Sequence, residues 1–203
     1  MEIKIKNLKK YFGKKQILNI DEMQFPIGRC HTIMGVNGCG KTTLLKLIAG
    51  LDKNYKGEIL YNNSKLTRDK YRDITYVGQK SYLLKGTVID NIEYPLKLRK
   101  YSKEIIEEKT NEYIKLFQLE DIQRQCTSTL SSGEGQRLAL ARALVFNPKL
   151  LILDEAMANI NEDFVFKIEN ILKEKSKDMN IIVVSHNLEQ AKRLGENHIL
   201  EIN

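Results

Sequence analysis

Polar and apolar positions along this chain fall into short alternations and short solid runs, with one long helical stretch between them. The opening "MEIKIKNLKKYF" alternates apolar and charged residues and predicts a strand over Glu2–Ile5 at the edge of a sheet. Similar signals predict strands at Gln16–Ile20, Cys30–Met34, Gly57–Asn62 and Ile74–Val77. A helix is expected from Thr42 to Ala49, with Gly50 placed to stop it. From Thr87 the period changes. "TVIDNIEYPLKLRKYSKEIIEEKTNEYIKLFQL" repeats its apolar residues at helical spacing, with a break expected near Pro95 and an N-cap at Ser102. Solid apolar runs then alternate with helices: strand Leu150–Asp154, helix Glu162–Lys175, strand Ile181–Ser185, helix Leu188–Leu194 and a last strand His198–Ile202. Short apolar strands alternating with helices imply a parallel sheet covered on both faces, with the helical stretch inserted between two parts of an α/β domain.

Composition narrows this picture only a little. At 203 residues the chain suits one large domain, and 42% hydrophobic with 29% charged residues is a globular rather than a disordered balance. A net charge of +7 is compatible with nucleic acid, an anionic membrane or phosphorylated ligands. The lysines are scattered, with no block of like charges, so a solvated surface accounts for them and no nucleic-acid partner is expected. The three cysteines, Cys30, Cys39 and Cys126, are odd in number and form no CxxC pair, which argues against disulfides or zinc and for a reducing compartment. The apolar runs "LLIL" and "IIVV" are far shorter than the roughly 18 residues of a membrane span, so a soluble protein is expected.

The chemistry begins at "GVNGCGKT", Gly35 to Thr42, which matches G-x-x-x-x-G-K-[ST] between a predicted strand and a predicted helix. Glycines let backbone N–H groups close around phosphate oxygens, Lys41 reaches the β- and γ-phosphates, and the Thr42 hydroxyl can ligate Mg²⁺. "LLILDEA" ends a buried strand in two carboxylates. Asp154 suits Mg²⁺ held through its water shell, and Glu155 suits general-base activation of water. His186 follows "IIVVS" at another strand's C-terminal end, where open α/β sheets place ligands. Gln79 after "ITYVG" has a neutral amide for Mg²⁺ or water. "TLSSGEGQRLALARAL" places Ser131, Ser132, Gly133 and Glu134 before a helical run. Ser131 and Glu134 read as a capping box, and the crowding of small residues also reads as an anion site.

Taken in this order, the motifs resemble the ATP-binding subunit of an ABC transporter, and the resemblance covers essentially the whole chain. It comprises the Walker A loop Gly35–Thr42, the Q-loop at Gln79, the signature Leu130–Glu134, Walker B ending at Asp154–Glu155, the D-loop Ala158–Asn161 and the switch His186. The resemblance implies an α/β P-loop core (1–79 and 146–203) with an N-terminal antiparallel β portion and an inserted helical subdomain at 80–145. It implies a nucleotide site formed by Gly35, Val36, Asn37, Gly38, Cys39, Gly40, Lys41, Thr42 and Thr43, with Phe12 or Tyr11 stacking on adenine. Catalytic roles fall to Glu155, His186 and Gln79, and Mg²⁺ to Thr42, Gln79 and Asp154. Two copies would join head to tail, so that Ser131, Ser132, Gly133 and Glu134 of one contact ATP on the other.

Further partners are implied by the same resemblance: an integral membrane permease reached through Lys80–Arg99, a substrate-binding protein if the system imports, and a position on the inner face of the cell membrane. The stretches "GTVIDNIEYPLKLR" and "HNLEQAKRLGE" resemble ATPases that import oxyanions of the tungstate, molybdate or phosphate type, with a peptide or drug exporter subunit as the alternative. A soluble ABC ATPase of DNA repair or translation, and a small P-loop kinase, are more distant readings. Two departures stand out. Ser132 replaces a glycine, and Asn161 stands where the family has Asp, which bears on hydrogen bonding across the dimer. Cys39, inside the phosphate loop beside a helix N-terminus, is expected to be a modifiable thiol.

Overall fold

The computed structural model describes residues 1–199. Its elements, in order, are β1 (Ile3–Phe12), β2 (Lys15–Phe25), β3 (Cys30–Met34), α1 (Lys41–Ile48), β4 (Lys56–Tyr61), α2 (Arg68–Tyr71), β5 (Ile74–Val77), α3 (Val88–Leu98), α4 (Lys103–Leu116), α5 (Ser132–Leu144), β6 (Leu150–Asp154), α6 (Glu162–Lys175), β7 (Asn180–Val184), α7 (Leu188–Leu194) and β8 (Gly195–Ile199). They divide into two compact units. One holds Met1–Tyr76, Pro148–Glu155 and the chain from Lys167; the other holds Val77–Asn147 and Ala156–Phe166.

The first unit carries a five-stranded sheet in the order β5-β6-β7-β3-β8. The pairs β6–β7, β7–β3 and β3–β8 run parallel. Every residue of β6 and β7 is buried, which explains why their sequences are solid apolar runs rather than alternations. The second sheet is antiparallel with order β2-β1-β4, so β1 is its central strand and not an edge. The expectation failed because β1 is much longer than its alternation suggests. Ile3 and Ile5 point inward on odd positions, and Leu8 and Lys10 on even ones. The parity changes at Asn7, which has φ 48° beside a register shift in the pairing with β4. A bulge adds one residue and flips the side-chain face, and Asn tolerates the left-handed conformation better than most.

In the second unit, α3 begins with a capping box, in which the Thr87 hydroxyl accepts from Asp90 N and the Asp90 carboxylate accepts from Thr87 N. The break expected at Pro95 does not occur, because α3 runs through Pro95 to Leu98. Val88, Ile92, Pro95 and Leu96 are buried together, and this apolar stripe offsets the hydrogen bond that proline cannot donate. Ser102 caps α4 as expected, accepting from Ile105 N. The final strand starts at Gly195, earlier than expected, and residues 200–202 lie outside the described residues. Among the described residues no helix is long and apolar enough to cross a membrane.

One buried amide closes the first unit. Asn180, fully buried at the start of β7, donates from Nδ2 to Met1 O at 2.9 Å and to Phe25 O at 2.7 Å. Asn180→Ala removes the donor that these two buried carbonyls share. We expect it to destabilise the protein by about 2 kcal/mol, read as a lower urea midpoint at unchanged slope.

Candidate active site

The turn between β3 and α1 is built from glycines for a steric reason that the structure makes explicit. Gly40 has φ 95°, and a Cβ there would sit 2.7 Å from Leu18 Cδ2 of β2. The chain therefore enters α1 pressed against the antiparallel sheet, and only glycine fits. The first turn of α1 holds no acidic residue, so its positive end is left for an anion. Lys41 is buried at 6% exposure and lies back over the loop, donating to Gly35 O at 2.8 Å and Val36 O at 2.9 Å. An ammonium has three donors, so one proton of Lys41 remains for a phosphate oxygen. Val36, Asn37 and Gly38 are exposed along the loop, Thr42 is exposed, and Thr43 is half-buried.

Cys39 differs from expectation. Its side chain is 3% exposed and belongs to the same apolar core as Leu44 and Leu45, so it is a packing residue and not an accessible thiol. The loop turns it inward because its neighbours Gly38 and Gly40 both take positive φ. Cys126 is the exposed cysteine.

The carboxylates arrive from β6. Asp154, its last residue, is buried and accepts two hydrogen bonds: from Thr42 Oγ1 at 3.1 Å and from the Tyr76 hydroxyl at 2.7 Å. Burial first, and then the bond to Asp154, push the Tyr76 phenol upward, so it stays a donor. Thr42 and Asp154 bring two hard oxygens together from α1 and β6. Among the described residues no three His, Cys, Asp or Glu are placed to hold a metal ion together, and these two oxygens would suit a Mg²⁺ completed by phosphate and water. Glu155 is next, with φ 53°, a left-handed backbone that costs a non-glycine residue on the order of 1–3 kcal/mol. Its Oε1 lies 2.6 Å from His186 Nε2. A carboxylate accepts only, so the proton between them is on Nε2 and His186 donates.

His186 is held from behind. Ser185 Oγ donates to Gln190 Oε1 at 2.7 Å and accepts from Asn187 N at 3.0 Å. Gln190 donates to Glu169 Oε1 at 3.2 Å, and Arg193 grips both oxygens of Glu169 at 2.7 and 2.9 Å. At the β1–β2 turn, Phe12 is 57% exposed with Lys10 Nζ 5.1 Å from its ring centre, while Tyr11 is 38% exposed and its hydroxyl donates to Gln16.

The remaining motif residues belong to the second unit. Ser131 caps α5 through a reciprocal box: its N–H and hydroxyl reach Glu134 Oε2 at 2.8 and 2.7 Å, and its Oγ accepts from Glu134 N. The N–H groups of Ser132 and Gly133 carry no hydrogen bond among the described residues. Gln79 has an exposed side chain, and its carbonyl accepts from Gln136 Nε2 at 3.2 Å. Lys41, Thr42, Asp154, Glu155 and His186 are thus assembled within one unit, with Gln79 and the signature residues in the other. Tyr76, Ser185, Gln190 and Gln136 were not anticipated. The first is indistinguishable in sequence from an ordinary strand aromatic. Gln136 leaves a trace, as a polar residue on the buried face of α5.

A strand–glycine loop–helix with a carboxylate from another parallel strand of the same sheet defines a P-loop nucleotide hydrolase. Residues 18–158 match the ABC transporter family, to which this chain belongs, and it is an ATP-binding, ATP-hydrolysing subunit. It is 40% identical over 200 residues to the tungstate uptake system ATP-binding protein TupC of Peptoclostridium acidaminophilum, covering 97% of this chain and 92% of that one. It is 33% identical to the Fe(3+) ions import ATP-binding protein FbpC of Fusobacterium nucleatum, covering 97% of this chain but 54% of that protein. The chain thus spans nearly all of the first relative and about half of the second. Among solved structures, a dimeric ATP-binding cassette in a post-hydrolysis state with ADP and phosphate aligns with TM-score 0.87 at 29% identity, covering 98% of this chain and 94% of that one.

This geometry has two measurable consequences. Tyr76→Phe keeps the ring and removes the donor to Asp154; ATP turnover should fall about 10-fold or more, the scale of losing a hydrogen bond that orients a group at the site, and the buried carboxylate left one bond short should cost about 1 kcal/mol of stability. For the caps, the Ser131 side chain and then its backbone hold Glu134 below its ordinary value, and the Thr87 backbone and then its side chain do the same for Asp90. A carboxylate depressed on folding stabilises above its unfolded pKa and loses that contribution as pH falls through the folded one. Ser131→Ala should therefore cost about 1 kcal/mol at neutral pH, with the difference from wild type shrinking below about pH 4 in urea titrations.

Proposed function

We propose that this chain powers the import of an oxyanion of the tungstate class through a separate membrane permease, working as an ATP-driven homodimer at the cytoplasmic face. The substrate class rests on one observation: 40% identity to a tungstate uptake ATPase over 97% of this chain and 92% of that one. Other relatives serve import of iron, polyamines, sulfate or methionine, so an exporter finds no support among them. The permease, and a binding protein that delivers the anion to it, are partners of this reading, with Lys80–Arg99 facing the permease.

The loop amides and Lys41 hold the phosphates, with Phe12, the more exposed of the two candidate aromatics, against adenine. Mg²⁺ held at Thr42 and Asp154 would neutralise charge developing on the β- and γ-phosphates. Glu155 draws a proton from the attacking water, and His186, fixed to it at 2.6 Å, orients the carboxylate and the γ-phosphate. The second half of each site comes from another copy. The unpaired N–H groups of Ser132 and Gly133, at the positive end of α5, suit the γ-phosphate of ATP on the partner, while Ser131 and Glu134 keep that helix end in shape.

Glu155→Gln separates binding from chemistry. ATP binding should persist, turnover should fall by roughly 10² or more, and MgATP should drive the variant into a dimer on sedimentation. Near-normal hydrolysis would remove Glu155 from the role of base, and an ATP-saturated variant that stays monomeric would remove the head-to-tail dimer. For the substrate, the protein reconstituted with the permease encoded beside it should hydrolyse ATP faster with tungstate-loaded binding protein. Stimulation by ferric ion or spermidine in its place would overturn the oxyanion reading.

A further inference from the structure

We propose that Gln136 is a positioning residue for ATP hydrolysis: its side-chain amide ties the backbone of the Q-loop to the backbone of the D-loop and makes the two a single piece with the start of α5. Gln136 is 1% exposed, one turn into α5. Its Nε2 donates to Gln79 O at 3.2 Å and its Oε1 accepts from Asn159 N at 3.0 Å. The two loops are 80 positions apart in the chain and are joined by this amide. The same helix takes hold of Asn159 from its other side, since a Cβ on Gly133 would stand 2.9 Å from Asn159 O.

The chemistry singles out glutamine. A primary amide carries a donor and an acceptor at one end, while glutamate lacks the donor, methionine lacks both, and lysine and arginine lack the acceptor. Asparagine carries the pair on a stem one methylene shorter. Both bonds go to main chain, and the side chains of Gln79 and Asn159 are exposed. The tie lies within one compact unit, in which Ala156–Phe166 groups with α5 rather than with β6. Each tied loop leaves a strand that carries catalytic chemistry. Gln79 is three residues beyond Tyr76, the donor to Asp154, and Asn159 is four beyond Glu155. Gln136 itself is three residues beyond Gly133. Where phosphate meets the start of α5, which rests on the head-to-tail dimer of the proposed function, a displacement there is delivered to both loops at once. The tie itself does not depend on that dimer.

The test compares wild type with Gln136→Met and Gln136→Glu in the full chain, by amide hydrogen exchange at Asn159 and by steady-state ATPase kinetics. In Gln136→Met the Asn159 amide should exchange about 10-fold faster or more, with kcat down about 10-fold and KM for ATP within about two-fold, because the phosphate loop is untouched. Gln136→Glu can still accept from Asn159 N, so that amide should stay protected. Its carboxylate faces the Gln79 carbonyl, so kcat should fall as well. Wild-type kcat in the methionine variant, or unchanged protection of Asn159 in it, overturns the proposal. So does unfolding of both variants, which would assign Gln136 to stability alone. A wild-type protein that fails to dimerise on ATP would sink the dimer and leave the exchange result standing.

Discussion

The parallel register of three neighbouring strands is the constraint on which the catalytic geometry depends. Ile33 of β3 lies level with Val184 of β7, and Val184 with Asp154 of β6. Parallel strands deliver the same ends to the same edge, so the segments that leave them emerge along one line: the glycine loop, Ser185–His186, and Glu155. A slip of one residue in any pair would turn Asp154 from Thr42 and send its carboxylate to the opposite face. The protection against that slip is apolar. β6 and β7 are buried at every position, leaving no solvent-tolerant face for an alternative register.

On that frame the reactive side chains are aimed by polar supports that do no chemistry themselves. Asp154 is fixed by a hydroxyl on each side, and His186 by a chain that runs through Ser185 and Gln190 to the pair Glu169–Arg193. Glu169 is 1% exposed, and a buried ion pair repays its desolvation poorly as a source of stability. Its value here is orientation: it fixes Gln190, which fixes Ser185, one residue from the histidine. Glu155, by contrast, sits in a left-handed backbone and is held from outside the sheet by His186. The two carboxylates are neighbours in sequence and live under different restraints, which suits one to a fixed cation and the other to a proton.

Much of this was legible in the sequence, and the failures have identifiable causes. Strands Cys30–Met34, Ile74–Val77 and Leu150–Asp154 and helices Glu162–Lys175 and Leu188–Leu194 are where periodicity places them, because solid apolar runs and capped amphipathic stretches leave little choice. The length and central place of β1 were hidden by the parity change at Asn7, which to a two-residue template looks like the end of a strand. Pro95 reads locally as a breaker, and only packing of Val88, Ile92 and Leu96 overrides it. Cys39 reads as exposed from its loop and is buried because two flanking glycines turn the backbone inward. In the site, the groups that carry chemistry stand in recognisable spacings. Tyr76, Gln190 and Gln136 act by reaching across the fold to a partner 78, 21 and 57 positions away or to its backbone, and no spacing encodes that.

The two departures from the family pattern have local explanations in the fold. Ser132 and Gly133 are adjacent and both open α5, yet neither takes a positive φ, so backbone freedom asks for glycine at neither. Contact is the reason for it. A Cβ at Gly133 would meet Asn159 O at 2.9 Å, whereas Ser132 is exposed and carries its hydroxyl with its N–H left unpaired among the described residues. The packing therefore requires glycine at 133 and tolerates serine at 132. Asn161 behaves likewise. Its Oδ1 accepts from Phe164 N at 2.9 Å and so caps α6, a task that Asn and Asp perform about equally. The amide in place of a carboxylate keeps the cap and removes a charge from the loop beside Glu155. Hydrogen bonding by Asn161 beyond its own helix then depends on its Nδ2 donors, which aspartate would lack.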